Sequence, residues 1–272
     1  MDFKKKVILI SGATGGIGEE IVKLLSKEEC FLALFARREE KLIKISKSLN
    51  ENKTKCIYKK CDVKNKEDIK DAVTFTYKKY GRIDIAILNA GILIPNPVQC
   101  FDSSIIKETI DVNFMNNIYF LEYLLPIMKK QHSGVIAAVS TLPDKRGVAG
   151  WGAYGASKAA LSLFMESLRS EIQQSYGIRI ITIKPGSVET PMIEGKHRQG
   201  ALQPAEAAKF IINGIRKRKK IIEFPLMQVV FTKLVNLFPL WVYDRIPIYI
   251  QKGDGYPAVE DEYELKNIKS SD

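Results

Sequence analysis

The chain has 272 residues, of which 46% are hydrophobic and 27% charged, as in globular proteins with a proper core. This length fits one α/β domain, and no repeat or low-complexity stretch is visible. The formal net charge is +11, and lysines are scattered along the whole chain. The densest basic run, 216–220, predicts a solvated helix C-terminus, with contact to anionic lipid or nucleic acid as the alternative. No nucleic-acid-binding motif accompanies it, so we expect no nucleic-acid partner.

The sequence lacks the features of a secreted or metal-binding protein. The apolar run 7–10 is too short for a signal-peptide core and has no small-residue cleavage site behind it. We therefore expect a mature chain that begins at Met1 and stays in the cytoplasm. The four cysteines have neither CxxC spacing nor a histidine cluster nearby, so we expect reduced thiols and no metal site.

Short β-branched apolar runs alternate with amphipathic stretches, which predicts alternating strands and helices. The predicted strands span 7–11, 31–36, 55–60, 83–88, 134–140, 178–184 and 221–224. The predicted helices span 17–27, 39–49, 66–80, one long or two shorter segments in 101–130, 154–176 and 203–219. Gly81 is expected to cap the helix at 66–80.

This alternation indicates a doubly wound, Rossmann-type α/β fold, in which a parallel sheet carries helices on both faces. In such folds ligands bind at the carboxyl ends of the strands, where the strand order reverses. We expect one such domain over 1–225, followed by an apolar C-terminal extension over 226–272.

A glycine-rich turn over 11–18 joins the first predicted strand to the first predicted helix. Glycines let the backbone approach a pyrophosphate without a Cβ in the way, and the helix N-terminus offers free N–H groups to the phosphates. Such a turn also occurs as a plain helix cap. Its place between strand and helix favours dinucleotide binding through Gly12, Thr14, Gly16, Ile17 and Gly18.

The second predicted strand ends in Arg37 and Arg38, and no acidic residue stands at this position. In these folds an acid at this point binds the ribose 2′-hydroxyl of NAD, whereas a basic residue accepts the 2′-phosphate of NADP. The charges therefore favour NADP(H) over NAD(H). The alternative is a pair of surface arginines that form salt bridges with Glu39 and Glu40.

Two further strand ends carry polar or small residues. Asp62, followed by Val63, comes after the third strand. Its carboxylate could accept a hydrogen bond from an adenine amino group, or it could cap the next helix. Asn89, Ala90 and Gly91 end the fourth strand, and small residues there would let a flat ring lie against the backbone.

Tyr154 and Lys158 stand four residues apart on a predicted helix and therefore share one face. No other tyrosine in the chain has a lysine four residues on. An ammonium, together with an oxidised nicotinamide, favours the phenolate and lowers the pKa of a tyrosine. A tyrosine tuned in this way can give a proton to a carbonyl or take one from an alcohol. Ser140 and Thr141, at the end of the fifth strand, offer hydroxyls that could hydrogen-bond the substrate oxygen.

Together these motifs resemble those of the short-chain dehydrogenase/reductase family in order and approximate spacing. The resemblance covers about residues 5–225, and it is carried by Gly12-xxx-Gly16-x-Gly18, Asn89-Ala90-Gly91, Asn113, Tyr154-xxx-Lys158 and Pro185-Gly186-Ser187-Val188-Glu189-Thr190. It implies that Tyr154 is the acid/base, while Lys158 binds the nicotinamide ribose and tunes Tyr154.

The resemblance also implies roles for the remaining motifs. Asn113 would hold a water in a proton relay, residues 89–91 would line the adenine side, and Asp62 would meet the adenine. The contacts to the nicotinamide end would come from residues 183–186, which include Pro185 and Gly186, and from Val188 and Thr190.

Two positions depart from the family pattern. Ser11 stands where the turn usually opens with threonine, and it keeps only the hydroxyl. The family's catalytic serine usually lies thirteen residues before the tyrosine, where this chain has Thr141, while Ser140 lies fourteen before it. Either hydroxyl can serve physically, and we favour Ser140 because serine is the family residue.

Two segments bear on substrate and partners. The segment after Thr190 is short and polar, with Glu194, Lys196, His197 and Arg198, and by resemblance it would cover the substrate. The apolar stretch 226–243 contains polar residues and Pro239, so it does not predict a transmembrane span. We favour its packing on the core or on a neighbouring subunit, with an interfacial membrane helix as the alternative. The tail 253–272 is polar.

The sequence as a whole predicts an NADP(H)-dependent oxidoreductase that interconverts a small-molecule carbonyl and an alcohol. A second apolar stripe on the 154–176 helix (Leu161, Phe164, Met165, Leu168) predicts a homodimer or homotetramer, because this helix often pairs across a dimer in the family. One alternative is a non-catalytic NADP-binding or redox-sensing module, which would be expected to lose Tyr154 or Lys158. The other is a membrane-surface reductase of a long-chain lipid carbonyl.

Overall fold

One parallel sheet organises the chain in a computed structural model that describes residues 1–51, 54–172, 175–190, 192 and 200–245. Within these ranges the sheet has seven strands in the order β3-β2-β1-β4-β5-β6-β7. The strands are β1 (Val7–Ser11), β2 (Phe31–Ala36), β3 (Cys56–Lys60), β4 (Ile85–Leu88), β5 (Gly134–Val139), β6 (Ile178–Pro185) and β7 (Ile221–Phe224).

Helices cover both faces of this sheet. They are α1 (Gly16–Leu25), α2 (Glu39–Glu51), α3 (Lys66–Tyr80), α4 (Ser103–Ile110), α5 (Asn116–Gln131), α6 (Gly152–Ile172), α7 (Pro204–Arg216), α8 (Leu226–Asn236) and α9 (Leu240–Tyr243). A π-helical turn, Asp111–Met115, joins α4 to α5. Gly81 ends α3 in the left-handed conformation, with φ of 72°. The predicted doubly wound, Rossmann-type fold is confirmed.

Strands that are buried on both faces build two separate cores. Successive side chains of a strand point to opposite faces. In β1, Ile8 and Ile10 join the core under α1, α2 and α7, whereas Leu9 joins the core under α3, α5 and α6. This is why the strands read as continuous apolar runs in the sequence.

The strand order reverses beside β1, which pairs with β2 on one side and β4 on the other. The chain therefore leaves β1 and β4 toward opposite faces and opens a crevice between them. The Ser11 hydroxyl closes the base of this crevice, because it accepts hydrogen bonds from the backbone N–H groups of Asn89 (3.1 Å) and Ala90 (3.3 Å). Serine in place of the family's threonine therefore keeps the hydroxyl group that makes these hydrogen bonds.

The second apolar stripe of α6 differs from the prediction. Leu161, Met165 and Leu168 are buried in the chain's own core, so these three do not form an outward face. Leu163, which is 72% exposed, and Phe164 remain on the outer side. Periodicity identified a buried stripe, but the sheet beneath α6 is what buries it.

The C-terminal extension packs only lightly on the domain. Within α8, Val229 is the buried apolar residue, and most of the other apolar side chains are exposed. No helix in the described part of the chain is long and apolar enough to cross a membrane. The polar segment with Glu194, Lys196, His197 and Arg198, and the tail 253–272, lie outside the described residues.

Candidate active site

A cleft of about 730 Å³ opens where the strands end. It gathers most of the side chains that the sequence singled out: Gly12, Thr14, Gly16, Ile17, Arg37, Arg38, Asp62, Val63, Asn89, Ala90, Gly91, Ser140, Tyr154, Lys158, Pro185, Gly186, Val188 and Thr190. Gly18, Asn113 and Thr141 are not part of its lining. Their contribution must therefore pass through the residues that they contact.

The glycine-rich turn has no room for larger residues. Gly12 has φ of +66°, and a Cβ on it would lie 3.0 Å from the backbone of Ala90. A Cβ on Gly18 would lie 2.2 Å from the carbonyl oxygen of Gly12, so Gly18 serves close packing of the turn. No side chain caps the first turn of α1, whose N-cap is Gly15. Its N–H groups are thus available to a phosphate, and the turn fits a dinucleotide.

The end of β2 places cations beside this turn. Arg38 is held in place, because its guanidinium donates hydrogen bonds to the carbonyl oxygen (2.5 Å) and the hydroxyl (3.3 Å) of Thr14. Within the described ranges, neither Arg37 nor Arg38 forms an ion pair with Glu39 or Glu40.

A third cation at this end of the cleft was missed by the sequence analysis. Lys41 lines the cleft together with Arg37 and Arg38. Its signal in the sequence was its place in the first turn of the helix that follows the two arginines. The site therefore presents a cluster of positive charge where the cofactor's adenosine half is expected.

Asp62 does not cap the helix that follows it. The N-cap of α3 is Asn65, whose side chain accepts a hydrogen bond from the backbone N–H of Glu67 at 2.9 Å. One carboxylate oxygen of Asp62 accepts from the backbone N–H of Lys64 at 3.1 Å, and the side chain lines the cleft. Of the two predicted roles for Asp62, capping is wrong, and the role in binding an adenine stays a prediction.

Tyr154 and Lys158 lie together in the cleft wall on α6. The Lys158 ammonium is 6.0 Å from the centroid of the Tyr154 ring and donates a 2.7 Å hydrogen bond to the carbonyl oxygen of Val139. Lys158 is only 4% exposed, and this burial lowers its pKa to about 8.

Burial raises the pKa of the Tyr154 phenol, while a hydrogen bond with the Thr141 side chain acts in the opposite direction. The lowered tyrosine pKa was expected from an ammonium acting together with an oxidised nicotinamide, and the protein groups by themselves do not produce it. The loss of solvation outweighs the favourable contact. A phenol in this state keeps its proton at neutral pH.

The two candidate hydroxyls have different partners. Ser140 donates to the carbonyl oxygen of Lys158 at 2.9 Å and lies 2.8 Å from the Ser162 hydroxyl, so it ties β5 to α6. Thr141 is the residue whose side chain bonds Tyr154. Ser140 lines the cleft and Thr141 does not, so the choice between the two hydroxyls as the catalytic group stays a prediction.

Asn113 holds a loop rather than reaching into the cleft. Its fully buried side-chain amide accepts from the N–H of Ile92 (2.8 Å) and donates to the carbonyl oxygen of Ile92 (2.9 Å) and the hydroxyl of Ser157 (3.0 Å). These bonds use both donors of the amide and one of the two acceptor positions of Oδ1. The expected role of Asn113 in holding a water stays a prediction. A Cβ on Gly91 would lie 3.1 Å from Asn113 Oδ1 and 3.4 Å from Lys158 Nζ, which explains the small residue there.

A buried ion pair fixes the loop 142–151 beside the cleft. Asp144 and Lys184 are 2.6 Å apart, and both side chains are largely buried. The N–H of Leu142 also donates to the carbonyl oxygen of Pro185 at 2.9 Å. This ion pair has no signal in the sequence, because a pairing across two strand ends leaves no periodic pattern.

The rest of the lining that the sequence analysis missed is mainly apolar. It includes the loop after β4 and two residues from other segments, namely Ile92, Leu93, Ile94, Pro95, Trp151 and Met192. No spacing rule marks such residues, because they follow a motif without belonging to it.

Comparisons with known proteins identify the family to which this chain belongs. A family model for short chain dehydrogenases matches residues 6–200, and the chain belongs to this family. An uncharacterised oxidoreductase of Listeria monocytogenes is 36% identical over 195 residues, which cover 71% of this chain and 79% of the relative. The chain is accordingly an oxidoreductase of the short-chain dehydrogenase type.

Solved structures show the same fold. A short-chain dehydrogenase/reductase from Burkholderia phymatum in complex with NAD superposes with a TM-score of 0.80 at 19% identity, covering 86% of this chain and 94% of that chain. A variant of actinorhodin polyketide ketoreductase with NADPH superposes with a TM-score of 0.72 at 25% identity, covering 80% and 94%. Proteins with this fold have thus been solved with either nicotinamide cofactor.

Proposed function

We propose that this protein interconverts a carbonyl compound and an alcohol with NADP(H), using Tyr154 as the acid/base. The observation that carries the proposal is the pairing of Tyr154 with the buried Lys158 in the wall of the cleft, with the buried Thr141 behind them. In a chain of this family, such a group supports catalysis over simple cofactor binding.

The raised pKa of Tyr154 defines its part in the reaction. A bound nicotinamide cofactor supplies or accepts the hydride. The phenol retains its proton at neutral pH and can donate it to a carbonyl oxygen as negative charge develops there. The Thr141 side chain would orient the phenol, and the buried Lys158 ammonium would supply a positive charge beside it.

The turn and strand ends would hold the cofactor. The phosphates fit the open N-terminus of α1, beside Gly12 and Gly16. Asp62, Val63 and residues 89–91 would line the adenine side. Pro185, Gly186, Val188 and Thr190 would contact the nicotinamide end.

The preference for NADP(H) rests on the cation cluster at the end of β2. Arg37, Arg38 and Lys41 line that end, and a 2′-phosphate is the anionic group that distinguishes NADP from NAD. Arg37 is the better probe, because Arg38 also anchors Thr14.

The cofactor experiment compares the affinities of NADPH and NADH for the wild type and for Arg37→Ala. We expect tighter binding of NADPH, and we expect the substitution to weaken NADPH by roughly tenfold while leaving NADH unchanged. Lys60→Ala is the matched control, because it removes an exposed cation from the end of β3 outside the cleft. Equal affinities for the two cofactors would contradict the assignment.

The reaction experiment follows NADPH consumption with short, aromatic, steroidal and long-chain carbonyls. Turnover on at least one class is the expected result. Tight NADPH binding without turnover of any carbonyl would instead favour a cofactor-binding module.

A further inference from the structure

Helices α8 and α9 carry a row of large apolar side chains on their outer side. These side chains are between 40% and 82% exposed, and together we name them the α8–α9 apolar face: Leu226, Met227, Val230, Phe231, Leu234, Leu237, Phe238, Leu240 and Trp241. Several recur at intervals of three and four residues, so they form a stripe along the helix. A continuous exposed apolar surface of this kind marks an interaction site.

The polar residues of the extension fix this orientation. Gln228 accepts a hydrogen bond from the N–H of Ser187 at 2.9 Å, and Lys233 pairs with Glu223 at 2.8 Å. Arg146 donates to the carbonyl oxygens of Asn236 and Phe238. The polar anchors therefore face the domain and the apolar face points outward, which reverses the polarity of an ordinary surface helix.

The α8–α9 apolar face lies next to the cleft. Ser187, which binds Gln228, follows Gly186 in the cleft lining. At the other end, the Tyr243 hydroxyl donates to the carbonyl oxygen of Gly147 at 2.7 Å, in the loop that leads to Trp151 of the lining. A partner that covers the α8–α9 apolar face would therefore lie near the entrance of the cleft.

We propose that the α8–α9 apolar face docks on an anionic membrane surface. Residues 226–245 contain one acid, Asp244, and two cations, Arg245 and Lys233, of which Lys233 is paired with Glu223. The Arg245 guanidinium lies 5.4 Å from the Trp241 ring centroid, and the Arg146 guanidinium lies 5.2 Å from that of Tyr243. Aromatic rings paired with cations at the rim of an apolar stripe match the headgroup level of a bilayer.

The charges also decide against a second copy of the chain as the occupant. A symmetric pair through this face would bring the same cations of two chains together, and each chain carries a net charge of +11. An anionic lipid surface offers opposite charge instead. The 11 residues of α8 are too few to span a bilayer, so the helix would lie in the plane of the interface.

The test is co-sedimentation of the full chain with phosphatidylcholine vesicles that either contain or lack phosphatidylserine. We expect binding that needs phosphatidylserine and weakens with salt. Phe231→Ser with Leu234→Ser should reduce vesicle binding by about tenfold or more, since membrane affinity scales with the apolar surface inserted. Val98→Ser with Phe101→Ser removes two exposed apolar side chains elsewhere and should leave binding unchanged.

Two further measurements separate membrane docking of this face from loss of folding and from self-association. In a Trp151→Phe chain, Trp241 is the only tryptophan, and its emission should shift to the blue on vesicle addition. Unchanged thermal unfolding of the Phe231/Leu234 variant shows that folding is intact. A full chain that stays in the supernatant at all lipid compositions overturns the proposal. So does a lower molecular mass of the Phe231/Leu234 variant by light scattering, because it assigns the face to a second copy.

Discussion

Tyr154 and Lys158 lie in one buried wall, and burial displaces their pKa values in opposite directions. The phenol is neutral when protonated, so burial raises its pKa, whereas the ammonium is charged when protonated, so burial lowers the pKa of Lys158 to about 8. Burial therefore keeps Tyr154 protonated and makes Lys158 easier to deprotonate. As the pH rises above neutral, Lys158 should therefore be the first of the two groups to titrate.

We expect kcat/KM for the cofactor to fall as the pH rises through about 8, because Lys158 then loses its charge while Tyr154 stays protonated. This parameter reports the ionisation of the free protein. Lys158→Arg keeps a cation at all these pH values, so its profile should lack this alkaline limb even if its activity is lower. An identical limb in the arginine variant would assign the titration to another group.

The two hydroxyls at the end of β5 can be separated by matched substitutions. Thr141→Val removes the hydroxyl that bonds Tyr154, and we expect kcat to drop by roughly ten- to a hundredfold. Ser140→Ala should change kcat little, but it should lower the free energy of unfolding by about 1–2 kcal/mol, because the Lys158 carbonyl and Ser162 lose a buried partner. Steady-state kinetics and urea unfolding of both variants provide the check. A larger kinetic loss in Ser140→Ala would reverse the assignment.

At the scale of elements, the turn from β1 to α1 is the most constrained connection in the site. Gly12 and Gly81 both have positive φ, so alanine at either position costs about 1–2 kcal/mol of conformational energy. A Cβ on Gly81 meets nothing within 4 Å, whereas one on Gly12 presses on Ala90 and Asn89 at 3.0 Å. A comparison of Gly12→Ala with Gly81→Ala therefore isolates the effect of steric crowding.

We therefore expect Gly12→Ala to destabilise the protein more than Gly81→Ala and to weaken cofactor binding as well. The difference in unfolding free energy should be about 1 kcal/mol or more, as for overpacked positions. Urea unfolding and NADPH titration of the two variants measure it. Equal losses of stability, with normal cofactor affinity in both, would show that the turn relaxes around the extra methyl group.

The elements that the sequence predicted well are those whose signal is local. The strand at Val7–Ser11, the helix at Lys66–Tyr80 and the cap at Gly81 match the structure, because apolar runs and left-handed glycines act within a few residues. The apolar stripe of α6 did not match the prediction of an outward face, because periodicity shows that a face is buried but not what buries it. The π-helical turn at Asp111–Met115 contains Asn113, whose hydrogen bond with Ile92 joins residues 21 apart, and such a non-local contact has no signature in the sequence.

In the candidate site, too, some features could be predicted from the sequence and others could not. The glycine turn, the arginines and the Tyr154/Lys158 pair are motifs with fixed spacing, and the structure brings them to one cleft. The choice between Ser140 and Thr141 depends on where β5 ends and on the position of α6 beside it. Counting residues cannot supply that three-dimensional relation.

At the scale of the whole molecule, the two cores on opposite faces of the sheet each contain a buried cysteine. Cys30 lies in the core under α1 and Cys61 in the core under α3. Burial raises the pKa of each thiol to about 12, so both are protonated at pH 8. Neither thiol is then a good nucleophile in the folded protein.

Cys30 and Cys61 should therefore resist iodoacetamide at pH 8 in the native protein and react on unfolding in urea. Mass spectrometry of the alkylated peptides distinguishes the two sites, and Cys100, which is partly exposed, serves as the internal reference. Rapid labelling of either buried thiol under native conditions would show that the corresponding core opens.

In the function that we propose, Tyr154 supplies the proton in a reaction between NADPH and a carbonyl compound. The most direct test of this role is NADPH oxidation with the best carbonyl substrate, measured for the wild type and for Tyr154→Phe together with the NADPH affinity of each. We expect the variant to lose roughly 10²- to 10⁴-fold in kcat and to bind NADPH as before. Undiminished turnover in Tyr154→Phe would contradict this role.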